Sequence, residues 1–377
     1  MVRKLCVFPN DSLLSYYKKG EIKERYFNPK NWFDEVHVVS LFDEEIETHY
    51  VKTLAGTADL VIHKFGKANL TNYKGYERRV TDILKEIKPD LIRSYNPLVQ
   101  GWIAAKCAKN LDIPLVVSLH TNYEQQRLEL KKERYLQYLK LSYAAKTIEP
   151  FVFKNADAVI CVYKFIIPYA EKMGAKNIHL IYNKVDLDKF SPTEKELVNK
   201  KPTIISVGRL IDQKNHRYLI EAVKDLDVQL IIIGDGPNYN SLTEFAARIS
   251  VNNKVQFIRR VPNEELVKYY RSAIIYAQPM ENLGGIPMPV LEAMACGLPI
   301  VMSKREHGQS EDIDDSIYFV ENDPKEFARA FSQIISDTTM QKSLRNNVLN
   351  RIRAMGGEQM ENKELSVYQQ LVEPQSK

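Results

Sequence analysis

The residues best suited to chemistry fall in PMENLGGIPMPVLEAMACGLPIV, positions 279–301. Gly284 and Gly285 let a ligand approach the backbone where a Cβ would intrude. Pro287 and Pro289 suit a first helical turn, because proline has no N–H to leave unpaired there. A glycine loop opening onto a helix N-terminus combines unpaired N–H groups with the positive end of the helix dipole, and so makes an anion site. The dipole alone gives a bound charge only ~0.3–1 kcal/mol, so other residues must hold the rest of the ligand. Glu292, early in that helix, could take two neighbouring hydroxyls. One short segment would then read both the phosphate end and the sugar end of a nucleotide. A second cluster is VGRLIDQKN, where Arg209 and Lys214 lie five apart across a strand-to-helix loop. Arg supplies a planar fork and Lys a point charge, a pairing that suits two phosphates. Gly234-Asp235-Gly236-Pro237 is not a dinucleotide fingerprint, since its third glycine is missing.

The elements that must position these residues alternate between strand and helix. Apolar runs at 4–8, 36–40, 90–95, 114–119, 157–163 and 178–182 read as strands of a first domain. Those at 203–207, 228–233, 255–258, 273–277, 298–302 and 317–320 read as strands of a second. Helices are expected from 77 to Pro89, around 102–108, and at 127–146, 215–226, 263–271 and 340–352, with a last one from 361. Asp323 followed by Pro324 reads as a capped helix start. Such alternation implies parallel, doubly wound α/β sheets, whose ligands lie outside the carboxyl ends of the strands. A chain of 377 residues is long enough for two such domains. The expected division is 1–190, a polar linker at 191–201, a second domain at 202–360, and a helix at 361–377. No apolar run reaches the ~18 residues of a membrane span, and MVRKLCVFPN enters a strand without a signal peptide. Cys6, Cys107, Cys161 and Cys296 are scattered, so they read as free thiols, mostly buried, of a cytoplasmic protein. The net charge of +5, from 53 basic and 48 acidic residues, fits an anionic ligand or membrane surface. No nucleic-acid motif accompanies it.

GIPMPVLEAMACGLPIV resembles the donor-binding segment of the retaining glycosyltransferases of family 4. That resemblance implies the GT-B architecture, two Rossmann-like domains facing across a cleft that holds a nucleotide-diphosphate sugar. It is strong over 203–303, moderate at 155–190 and weak before residue 90. By resemblance, Arg209 and Lys214 clamp the donor diphosphate, with no metal and no cofactor. Gly234 belongs to a turn flanking the donor cleft, and Gly284, Gly285, Ile286, Pro287 and Glu292 bind the donor. His120, in SLHTN at a strand end, would reach the donor sugar, although a His so placed is more often a structural hydrogen-bonder. The basic, aromatic stretch after the first strand would shape the acceptor site; its plainer reading is a surface excursion. The segment YNKVDLDKFSP is similar to the family's Asn-Gly-Val-Asp segment, with Lys184 in place of the glycine. The last helix would cross back onto the first domain.

One departure matters. The family usually carries two glutamates separated by seven residues, and the first of them would fall here on Gly284. Glu281 lies eleven residues before Glu292, so a longer loop would have to deliver it to the sugar. A metal-dependent alternative would use Asp-x-Asp, which occurs at 186–188, 225–227 and 312–314, close to chance in so Asp-rich a chain. The reading is a hexosyltransferase acting on a UDP- or GDP-sugar, with a glycan, glycolipid or lipid-linked saccharide as acceptor. A nucleotide-sugar epimerase of the same architecture, or a sugar-nucleotide-binding protein without catalysis, remains open. The helix at 127–146 carries Lys131, Lys132, Arg134, Lys140 and Lys146 among Leu and Tyr. It could lie on the inner, anionic face of a membrane; a solvated helix face is the plainer account.

Overall fold

The computed structural model describes residues 2–20, 22–192, 201–281, 284–305 and 310–373. They form two compact units, Met1–Tyr182 with Met360–Lys377, and Asn183–Gln359. The first unit is built on β1 (Lys4–Phe8), β2 (Glu35–Ser40), β3 (Asp59–Lys64), β4 (Leu91–Ser94), β5 (Leu115–Leu119), β6 (Ala158–Cys161) and β7 (Ile178–Leu180). They pair in parallel in the order β3-β2-β1-β4-β5-β6-β7. Every residue of β4, β5 and β6 is buried, as parallel strands covered on both faces by helices must be. The second unit holds β8 (Thr203–Val207), β9 (Gln229–Ile233), β10 (Val255–Ile258), β11 (Ile275–Gln278), β12 (Ile300–Ser303) and β13 (Tyr318–Val320). These too are parallel, in the order β10-β9-β8-β11-β12-β13. Each unit has its own core, one around Phe8, Ile92, Trp102 and Val152, the other around Ile204, Leu219, Ile232 and Phe331.

Counted from its own first strand, the second sheet runs 3-2-1-4-5-6, the Rossmann order, and the first sheet runs the same way with a seventh strand added beyond the sixth. The chain reverses its direction of travel between β1 and β4, and again between β8 and β11. Ligand crevices of such sheets open outside the carboxyl ends of those strands. In the second unit that position is occupied by Gly208-Arg209 after β8 and by residues 279–281 and 284–287 after β11.

Several elements differ from the sequence expectation. The helix expected at 127–146 is two, Tyr123–Glu133 and Tyr135–Asn155, broken where Arg134 leaves helical geometry at φ −142° and ψ 71°. Strand β3 and the helix Tyr239–Arg248 were not anticipated. The basic, aromatic stretch contains a helix, Leu13–Lys19, started by the Ser12 side chain on the Ser15 N–H and ended by Gly20 at φ 69°. The helix expected at 215–226 is only His216–Ala222, and the one expected from 361 already starts at Gly357. Residues 183–192 group with the second unit rather than the first. Arg271 holds them, donating to the Ser191 carbonyl at 2.8 Å and its hydroxyl at 2.9 Å, and Phe190 meets the Tyr270 ring edge-on. Positions 193–200 of the expected linker lie outside the described residues. The Asp323 cap is as read, accepting from the Lys325 and Glu326 N–H groups, with Pro324 in the first turn.

Candidate active site

In the second unit the loops after β8 and β9 interlock. Gly208 donates to the Ile233 carbonyl, Leu210 to that of Asp235, and Asn238 back to that of Leu210. A Cβ on Gly234 would stand 1.9 Å from the Gly208 carbonyl oxygen, and one on Gly236 would stand 2.4 Å from that of Leu210. Only glycine permits backbones to approach so closely. A Cβ on Gly208 would in turn meet the Lys214 ammonium at 2.3 Å. The lysine therefore lies across the bare backbone at the end of β8. It is delivered there by the turn Asp212–Lys214 and by Asn215 at φ 38°, a left-handed position that Asn tolerates.

Arg209 and Lys214 are brought together, and neither has a carboxylate within ion-pair distance among the described residues. Burial, and then the nearby Arg209 charge, push the Lys214 ammonium down to about 8. Two uncompensated cations, one of them desolvated, make a place where an anion is favoured. Beneath this turn, His216 is buried with neither ring nitrogen bonded; burial and the Lys214 charge hold it neutral, down to about 3.

The loop after β11 reaches the same turn. Glu281 donates its N–H to the Gln213 carbonyl at 2.8 Å and receives the Asn215 side-chain amide at 3.3 Å. Glu281 thus stands exposed beside the residues that carry Lys214. The Gly284 carbonyl is gripped by Arg305, which donates to it at 3.0 Å while its Nε holds Asp314 at 2.9 and 3.0 Å. Ile286 is buried, and Pro287 caps the helix Met288–Ala295. The N–H groups of Gly285, Ile286 and Met288 have no acceptor among the described residues. Pro289, at the second helical position, removes one donor from that terminus. Glu292 is the fifth residue of the helix and only 6% exposed, and its carboxylate accepts from the Tyr270 hydroxyl at 2.9 Å.

His120 belongs to the first unit, after β5. It stacks on Tyr95, which stacks on Tyr26 from the basic, aromatic stretch, with ring centres 5.9 and 5.3 Å apart. That stretch therefore lines the carboxyl end of β4. The His120 Nε2 is sealed from solvent without a hydrogen-bond partner. Burial and the charge of Arg93 lower the imidazole to about 4, so it is neutral at pH 7.

The Asp-x-Asp triplets have other occupations. Asp186 caps the turn at Asp188 and Lys189, Asp227 pairs with Lys201, and Asp314 with Arg305. Among the described residues no three His, Cys, Asp or Glu gather closely enough to hold a metal ion. Tyr270, Arg305 and Asn215 were missed by sequence reasoning. The available signals were slight: a Tyr on a neighbouring helix, an Arg two residues past a strand, and an Asn at a strand-to-helix turn.

The model of glycosyl transferases group 1 matches residues 188–351, and that of glycosyltransferase family 4 matches residues 34–189. The chain belongs to glycosyltransferase family 4. An uncharacterized glycosyltransferase of Methanocaldococcus jannaschii is 27% identical over 82% of this chain and 81% of its own. The UDP-Gal:α-D-GlcNAc-diphosphoundecaprenol α-1,3-galactosyltransferase of Escherichia coli is 25% identical over 90% of each. Among solved structures, an Anabaena protein in complex with UDP aligns over 97% of this chain and 99% of its own, with a TM-score of 0.74 and 16% identity. The family 4 protein therefore has the GT-B fold, and its activity is glycosyl transfer.

Proposed function

We propose that this family 4 glycosyltransferase is a metal-independent, retaining hexosyltransferase. It would use a UDP- or GDP-sugar, and a hydroxyl on a glycan, glycolipid or lipid-linked saccharide as acceptor. The observation that carries the reading is the pair of uncompensated cations, Arg209 and Lys214, at the carboxyl end of β8. Breaking the glycosidic bond leaves negative charge on the departing diphosphate, and pre-placed cations stabilise it as it grows. The N–H groups of Gly285, Ile286 and Met288 would take the remaining phosphate oxygens. Glu292, oriented by Tyr270, would hold the ribose hydroxyls, and Glu281 the donor sugar. The first unit would contribute His120, neutral and with a free ring nitrogen, to a sugar hydroxyl. In a retaining transfer the acceptor attacks from the face the phosphate leaves, and a donor phosphate oxygen takes its proton. The lipid-linked acceptor named for the Escherichia coli relative, and the UDP bound by the Anabaena protein, support this choice of substrates.

The test is transfer from labelled UDP- and GDP-hexoses to lipid-linked and free glycans in the presence of EDTA, with the product anomer read by NMR. Transfer with retained configuration is expected. An inverted product would refute the retaining mechanism, and activity restored only by added manganese or magnesium would refute the clamp. Tight nucleotide binding with no transfer to any acceptor would leave a binding protein.

A further inference from the structure

The second unit holds a cavity that the donor chemistry does not use. Its volume is about 250 Å³, and it lies at the amino ends of β11 and β12, walled by Ile274, Leu298 and Pro299. The donor loop leaves the other end of β11, roughly 13 Å away along four strand residues. Three cations line the cavity. Arg271 comes from the last turn of the helix Asn263–Ser272, and Lys342 and Arg345 come from the helix Thr338–Arg353. None of them has a carboxylate within ion-pair distance among the described residues. Arg271 spends its Nε and Nη2 on Lys189 and Ser191, and its Nη1 has no hydrogen-bond partner among the described residues. Arg345 lies on bare backbone: a Cβ on Gly297 would stand 3.1 Å from the guanidinium carbon. Both guanidinium charges reach the Cys296 thiol in the cavity wall, although burial is the larger effect and pushes that thiol up to about 12.

Helix ends call for some of this charge. The helices Asn263–Ser272 and Met288–Ala295 both finish at the cavity, and Arg345 donates to the Gly297 carbonyl at 3.3 Å. Each such end amounts to roughly half a negative charge, so the two together balance about one of the three cations. Roughly two positive charges remain. That surplus matches a phosphate monoester, which carries about −1.5 to −2 at pH 7. The apolar wall suits a short carbon body behind the phosphate. The volume falls below the ~300–1,000 Å³ of sites for drug-sized ligands, so the occupant is small.

We propose that this cavity is an effector site for a small phosphate monoester, and that its occupation is felt at Glu292. Tyr270 is the link, since it lines the cavity while its hydroxyl donates to Glu292 at 2.9 Å. Cys296 follows Glu292 by one helical turn, with its N–H on the Glu292 carbonyl at 3.0 Å. The Glu292 charge acts on the same thiol as the two guanidinium groups, so the carboxylate stands within their field. A bound dianion cancels that field and makes a buried carboxylate costlier to keep charged. Nucleotide is then held less tightly, and by linkage the nucleotide weakens the phosphate ester by the same factor. In this coupling alone the inference rests on the proposed reading of Glu292 as the ribose ligand.

The experiment is calorimetric titration of the full chain with glucose 6-phosphate, with UDP at saturation so that Arg209 and Lys214 are already occupied. One further site is expected, and none for glucose. Lys342→Glu alters an exposed position; it should keep the melting temperature and lower glucose 6-phosphate affinity on the order of tenfold or more. Lys342→Gln with Arg345→Gln should lower it on the order of a hundredfold. In the reverse titration, saturating glucose 6-phosphate should weaken UDP on the order of fivefold in the parent and leave it unchanged in Lys342→Glu. The absence of a second site, equal binding of glucose, or variants that bind like the parent would overturn the proposal. A second site that leaves UDP affinity untouched would overturn the effector role. A parent that binds no UDP at all would defeat the transferase reading, while glucose 6-phosphate binding and its loss in the variants would still decide the cavity.

Discussion

Lys214 is held as an ammonium where an ammonium is costly, and that cost sets a pH dependence. Its folded-state value of about 8 lies below the ~10.4 of a free lysine. Its charge therefore destabilises the ligand-free fold below about 8, and stability returns as pH rises from there toward ~10. A diphosphate needs the ammonium, so donor affinity should be flat below about pH 8 and fall by up to about tenfold per unit above it. Lys214→Arg should remove the bend, because a guanidinium stays charged. Donor titrations from pH 6.5 to 9.5 decide this, and a flat profile for the parent would exclude Lys214 from the diphosphate. Arg209→Ala should lower turnover at saturating donor on the order of 10²–10³, since phosphate charge is greatest in the transition state. Normal turnover once saturated would make Arg209 a binding residue only. Glu292→Ala should weaken binding of the nucleoside diphosphate itself, and Tyr270→Phe should do so less, by about 0.5–1.5 kcal/mol. Calorimetry that gave Glu292→Ala the parent's affinity would remove the carboxylate from the ribose.

At the scale of elements, the donor loops are fitted to each other backbone against backbone. Gly234→Ala would place a methyl 1.9 Å from the Gly208 carbonyl, so one loop must move. The expected loss is about 1–3 kcal/mol of stability, together with most donor affinity. Gly75→Ala, whose methyl would meet nothing within 4 Å, should change neither and is the control. Thermal melts and nucleotide titrations of both variants make the comparison. This interlocking was only half legible in the chain. Gly234 could be read as a turn near the donor, but the partner of its missing side chain lies 26 residues earlier, just past the end of another strand. The parallel strands were readable because long β-branched runs such as LIII and LVVSL have few alternatives. Strand β3 was not, since DLVIHK lies on the sheet edge with a half-solvated face and lacks a clean apolar run. The break at Arg134 carried no Gly or Pro to announce it. The helix Tyr239–Arg248 did show its signal, Leu242, Phe245 and Ala246 at helical spacing, and could have been found.

At the scale of the whole molecule, the chain enters the second unit once and leaves it once, so the first unit is assembled from two separated stretches. The joint between those stretches buries Met360, Val367 and Tyr368, and it also encloses an ion pair. Arg93, buried in β4, pairs with Glu364 of the helix Gly357–Val372 and donates to the Ser118 hydroxyl at 2.8 Å. Tyr368 completes the group, donating to Glu364 at 2.7 Å. Glu364→Ala should cost about 3–5 kcal/mol, because it leaves a buried guanidinium without its counter-charge. Arg93→Leu combined with Glu364→Leu should recover much of that loss. Denaturant unfolding of the three proteins measures it, and an equally damaging double variant would show that packing rather than charge is at stake. The same joint has a consequence for biosynthesis. Glu364 follows Arg93 by 271 residues, so roughly 15–50 s of translation pass before the arginine's partner is made. Until then the first unit has a sheet with an unneutralised cation at its heart. A chain stopped at residue 359 should therefore leave the first half open to protease while the completed second half resists it.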